Sequence, residues 1–137
     1  MPLDPERVAE VRAWLAKAAS DERAAVHELQ ANPPLTGDIC FHAQQMAEKS
    51  LKAFLIWHDV PFRKTHDISE IGRQCLSIEP SLAKAISEAE DLTVFAWLFR
   101  YPGEAEDPPL ADARRYLEAG QRLNQAIQSG LPAECRP

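Results

Sequence analysis

From Asp38 to Val60 the chain contains neither proline nor glycine, and its apolar residues recur at helical spacing rather than in strand alternation. At about 100° per residue, Ile39, Ala43, Met46, Ala47, Phe54 and Trp57 share one broad face. Cys40, Leu51 and Leu55 widen that face, while Phe41 and Ile56 lie on the opposite side. A helix over residues 37–59 with apolar residues on both sides is expected to be buried on both sides. One side would meet the rest of a helical bundle and the other a second subunit.

Prolines, glycines and capping residues divide the rest of the chain. Asp4-Pro5 can cap and open a helix. Val8, Val11, Leu15, Ala18, Ala25 and Leu29 then follow a three-four spacing until Asn32-Pro33-Pro34 ends it, giving a helix over 5–31. After a basic loop, Asp67-Ile68-Ser69-Glu70 reads as a capping-box variant, with Asp67 as cap and Glu70 reaching back, opening a short helix over 67–77. Glu79-Pro80 starts a fourth helix through Leu82, Ile86, Ala89, Leu92, Phe95 and Phe99, stopped at Arg100-Tyr101-Pro102-Gly103. An acidic, proline-rich loop spans 103–109. Asp107-Pro108 is expected to open the last helix, which carries Leu110, Ala113, Leu117, Gly120, Asn124 and Ile127 and stops at Gly130. The tail 131–137 is expected to fray. Five helical segments and no strand predict an all-α fold: an up-and-down helical bundle with two long antiparallel helices at its centre. The expectation is a single domain over 1–137, with its core within 5–129.

Composition narrows the function. The net charge is -6, which argues against a broad, sequence-independent grip on nucleic acid but leaves room for a local basic patch. Cys40, Cys75 and Cys135 form no CxxC pair and are odd in number, so neither a disulfide framework nor a zinc ribbon is expected; two are read as buried and Cys135 as a thiol in a loose tail. No run approaches the roughly 18 apolar residues of a membrane span. Met1 to Glu6 lacks a basic start and an apolar stretch, so a cytoplasmic location is expected. His27 and His58 have no partner at metal spacing, there is no Glu-x-x-His, and HExxH, Walker A, GxGxxG and GxSxG are absent. No metal and no cofactor is expected. Trp14, Trp57 and Trp97 read as core or interface anchors.

The string Cys40-Phe41-His42-Ala43-Gln44-Gln45-Met46-Ala47-Glu48-Lys49-Ser50-Leu51-Lys52-Ala53-Phe54-Leu55 closely resembles the second-helix signature of the HEPN domain (higher-eukaryote and prokaryote nucleotide-binding), where C/F-H-A-Q-Q-A-A-E-K-A-L-K-A-L recurs. Thr65-His66-Asp67 resembles that family's T-H-D before the third helix, and Arg100-Tyr101-Pro102-Gly103 its R-Y-P-G after the fourth. The resemblance covers residues 5–129. It implies a helical bundle that forms a homodimer. It also implies a minimal single-domain prokaryotic type, often encoded beside a minimal nucleotidyltransferase in a toxin–antitoxin module. Nuclease members carry R-x(4–6)-H and cut RNA at the dimer cleft. That motif is absent here: Arg23 precedes His27 by too few residues, as Arg63 does His66. No catalytic residue is therefore assigned, and the expected ligand is a nucleotide or RNA-related molecule, with a nucleotidyltransferase as the expected partner. A ribonuclease with a variant site and a purely structural dimerisation module are the alternatives.

Candidate ligand residues fall in three groups. His42, Gln45, Lys49 and Lys52 form one polar stripe that can line a dimer cleft and bind phosphate or a base, or can be a solvated stripe with hydrogen bonds to neighbouring helices; Glu48 and Lys52 can pair at i,i+4. Arg63, Lys64, His66 and Arg73 surround the turn into the third helix, where His66 can instead pair with Asp67. Arg100 and Tyr101 end the fourth helix. There Arg100 can reach a phosphate through bidentate bonds, cap its own helix, or pair with Glu104 or Glu106.

Overall fold

A computed structural model describes residues 2–103 and 105–137. Its α-helices are α1 (Pro5–Gln30), α2 (Thr36–Trp57), α3 (Ile68–Ile78), α4 (Ala83–Ala89) and α5 (Leu110–Ser129). Short 3₁₀ segments lie at Pro80–Leu82, Glu90–Ala96 and Ala133–Cys135. There is no strand among the described residues. The all-α bundle expected from the spacing is what forms, and no helix among the described residues is long and apolar enough to cross a membrane.

Local chemistry explains the helix starts that came out as expected. Asp4 accepts the Glu6 amide at 3.0 Å, and Pro5 needs no partner at the first position of α1. Asp67 accepts the Ser69 and Glu70 amides at the start of α3. Glu70 does not reach back as a capping box would. Its carboxylate takes both Nε and Nη2 of Arg63 instead, at 2.8 and 3.0 Å, a bidentate pair that outcompetes a single amide bond.

The two long helices run antiparallel. Arg7 meets Asp59, Lys52 lies over the Trp14 ring, Lys49 meets Asp21 and His42 meets Glu28, so numbers rise on one helix as they fall on the other. α5 runs beside α2 in the same direction. Gly120 lies against the Ala43 carbonyl and Met46, Ser50 bonds Asn124, and Gly130 lies near Phe54. At Gly120 an added Cβ would stand 3.1 Å from the Ala43 oxygen, so this residue sets how closely α5 approaches. On its remaining side α2 meets α3, where the Cys75 thiol points at the Leu51 carbonyl. Fourteen of the 22 residues of α2 are buried, which makes it the central helix of the bundle. On its other side Phe41 and Ile56 are only half-buried, Phe41 beneath the Arg100 guanidinium.

Three expected features are corrected. The fourth helix does not run to Phe99: it tightens into 3₁₀ winding at Glu90 and ends at Ala96. The three-residue period puts Ala89, Leu92 and Phe95 in one buried row, and Thr93 Oγ1 accepts the Ile68 amide of α3 at 3.1 Å. Asp107 does not cap α5, which begins three residues later behind Pro109. Asp107 packs on Gly37, where an added Cβ would stand 2.7 Å from its Oδ1. The tail does not fray. Leu131 is buried, and the Ala133–Cys135 turn places Cys135 in the core against α1, with Arg136 donating to the Gln128 carbonyl. All three cysteines are thus free and buried.

Candidate functional site

Most of the expected site residues fall into two groups, with Lys49 and Arg63 apart from both. The first lies between α2 and the loop that precedes α3, with Glu48 and Lys52 buried and His66 at the surface. Glu48 is its centre. Its Oε1 accepts from His66 Nδ1 at 2.7 Å and Gln44 Nε2 at 3.1 Å, and its Oε2 accepts from Lys52 Nζ at 3.2 Å. Gln44 also donates to the His66 carbonyl, and Gln45 donates to Gln44 Oε1. The Lys52 ammonium stands 5.9 Å from the Trp14 ring centre and 5.7 Å from that of Phe62. Trp14 is half-buried, as the anchor expectation implied, and so is Trp57, whereas Trp97 is exposed. Of the expected stripe, Lys52 is buried and His42, Gln45 and Lys49 are half-buried, each bonded to a neighbouring side chain. Gln45 and Lys52 serve this network, and His66 pairs with Glu48 rather than with its neighbour Asp67. Every charge here has a partner, the arrangement a buried ion cluster needs.

Lys49 stands apart from that network: its ammonium bonds Asp21 of α1 at 2.6 Å. In the basic patch, Arg63 is held by Glu70, which draws the Glu70 carboxyl below its usual range and raises the guanidinium. Arg63 and Arg73 line an open depression with Phe62, Gln74 and Ser77.

The second group gathers at one end of the bundle, where α2 begins and the chain leaves the Glu90–Ala96 turn. His42 and Arg100 flank the same ring. The Phe41 and His42 rings meet edge-on with centres 5.2 Å apart, and the Arg100 guanidinium lies 4.5 Å over Phe41. Arg100 Nη1 also caps its own segment by donating to the Ala96 carbonyl at 3.0 Å, and Tyr101 stands beside the guanidinium with its side chain exposed. Arg100 makes no ion pair with Glu106; Glu104 lies outside the described residues. Phe99 allows this turn of the chain with a left-handed φ of 68°. His42 is fixed from the other side. Its Nδ1 lies 2.7 Å from Glu28 Oε1 and 3.1 Å from the Asp38 carbonyl. Burial raises the Glu28 carboxyl above its usual range, against the opposing pull of His42. The neighbouring Cys40 is no nucleophile: burial, with Asp112 and Asp107 nearby, pushes its thiol up to about 12.

The profile of the HEPN domain matches residues 11–129. The chain belongs to the HEPN family. No curated protein and no solved structure matches it. Within this HEPN chain, the acidic partners Asp21 and Glu28 were missed by reading helices singly. An antiparallel register about the turn at residues 31–35 pairs 28 with 42 and 21 with 49, and that signal would have found them.

Proposed function

We propose that this HEPN chain is a binding protein, working as a dimer, for a nucleotide or an RNA-related ligand. The carrying observation is that His42 and Arg100 converge on Phe41 with Tyr101 exposed beside them. A cationic guanidinium suits a phosphate, and flanking aromatic rings suit a base. Leu35, Trp97 and Tyr101, three of the four most exposed large apolar side chains, lie around this end and support it as the dimer face. The family resemblance supports a minimal nucleotidyltransferase as the partner in a toxin–antitoxin-like module. Titration of the purified protein with ATP and a short RNA, followed by tryptophan fluorescence, tests the reading. Arg100→Ala is expected to weaken binding at least tenfold, and no binding by the wild type at millimolar nucleotide would end it. Sedimentation as a monomer at micromolar concentration would remove the dimer.

A second reading, a ribonuclease with a variant site, is favoured by one observation. His42 is braced through Nδ1 by a carboxylate, the arrangement that lets an imidazole move a proton through its other nitrogen. RNA that survives equally with the wild type and with His42→Ala excludes it.

A further inference from the structure

We propose that Glu28 is the positioning residue of this site: it holds His42 with a hydrogen on Nδ1, so that Nε2 is the atom offered to a phosphate-bearing ligand. The inference rests on the binding reading above for its ligand half and on geometry for its positioning half.

The geometry starts from the Asp38 carbonyl. A peptide carbonyl can only accept, and His42 Nδ1 lies within 3.1 Å of it as well as 2.7 Å from the Glu28 carboxylate. Both contacts are satisfied by one hydrogen on Nδ1. The other nitrogen has no protein partner among the described residues. Yet no buried side-chain nitrogen or oxygen there lacks one. His42 Nε2 therefore reaches the surface, although the residue itself is half-buried.

The charged groups around the imidazole come from three elements. Glu28 lies on α1, Asp38 one turn earlier on α2, and Arg100 after the Glu90–Ala96 turn, over the ring that His42 meets edge-on. Asp38 touches the ring through its backbone carbonyl, and the guanidinium on the far side of Phe41 supplies a cation for the same ligand. Glu28 differs from the other acidic residues along the α1–α2 seam. Asp21 and Asp59 each hold a lysine or arginine, permanent cations whose role ends at the pair. Glu28 holds a group with a second, outward nitrogen, so what it fixes is an orientation.

The test has two arms. In the ligand-free protein at pH 8, two-bond proton–nitrogen correlation spectra report the imidazole tautomer. The wild type is expected to show Nδ1–H at His42, and Glu28→Ala a shift toward the ordinary Nε2–H form. Glu28→Gln, which keeps the shape and an acceptor oxygen, should retain Nδ1–H. In the second arm AMP and adenosine are titrated at pH 6. Glu28→Ala is expected to weaken AMP about tenfold and leave adenosine unchanged, while Glu28→Gln, which still holds Nδ1–H, should stay close to the wild type. An Nε2–H tautomer in the wild type overturns the proposal whatever the ligand does. Equal AMP affinity in the wild type and in the folded Glu28→Ala variant overturns the ligand half. A wild type that shows Nδ1–H but binds no AMP supports the positioning and overturns the binding reading, so the two failures are separable.

Discussion

Replacing Glu48 by leucine removes the centre of the buried network and leaves Lys52 without a carboxylate. Both side chains are almost fully enclosed, at 6% and 8% exposure. Breaking such a pair from one side costs about 3–5 kcal/mol, because a charge stays behind in a poorly solvated place. Here the Trp14 and Phe62 rings recover part of that, about 0.5–2 kcal/mol for an ammonium over aromatic faces. The expected loss for Glu48→Leu is therefore at the low end, about 3 kcal/mol, or about 10 °C in Tm for a chain of this length. Lys52→Met should cost less, about 1–2 kcal/mol, since His66 and Gln44 still donate to Glu48. The double variant removes both charges and should lie within about 1 kcal/mol of the wild type. The coupling energy of the cycle is then about 3–5 kcal/mol. Urea unfolding of the four proteins, with matched m-values, measures it. A loss below about 1 kcal/mol for Glu48→Leu, or a double variant as unstable as the two single losses together, refutes the reasoning.

Three further outcomes follow from the same structure. Deleting residues 131–137 uncovers the sites of Leu131 and Cys135 and should cost about 2–4 kcal/mol by thermal unfolding; an unchanged Tm would mean the tail contributes nothing. Burial pushes the thiols of Cys40 and Cys75 up to about 12, so both stay neutral at pH 8 and should react with a thiol reagent only after denaturation; rapid modification of either in the folded protein contradicts this. Burial lowers His58, which packs on Phe54, against the opposing pull of Glu79. The unfolded chain binds that proton more readily, so stability is fully present above about 6.5 and is lost as pH falls through the lower folded value. Unfolding free energies at pH 7.5 and 5.5 should differ less in His58→Gln than in the wild type.

What the sequence made legible is local. Asp4-Pro5 and Asp67 start helices through bonds made within three residues, and the Asn32-Pro33-Pro34 break follows from proline geometry alone. The 3₁₀ winding after Ala89 was not legible, because it serves a bond between Thr93 and the distant Ile68 amide. Glu70 shows the same competition: its capping spacing is right, but a bidentate arginine from the preceding loop wins. His42 and Arg100 were visible as candidates; their meeting around Phe41 was not, since 58 residues and two helices separate them along the chain. The i,i+4 pair of Glu48 and Lys52 was legible from spacing; its burial was not, since the rings of Trp14 and Phe62 that help enclose it come from other elements.

The parallel placement of α5 against α2 has a consequence for the order of assembly. α1 and α2 are joined by a tight turn, so their pairing closes a small loop and is cheap in chain entropy. α5 can dock only after the chain has crossed back through α3 and α4, which makes its contacts long-range and late. A ribosome-bound chain that has emerged only through α2 would display Leu51, Phe54 and Leu55 on an open flank. Until the last twenty residues of helix arrive, that flank is a sticky surface, and the newborn protein is at its most vulnerable to aggregation.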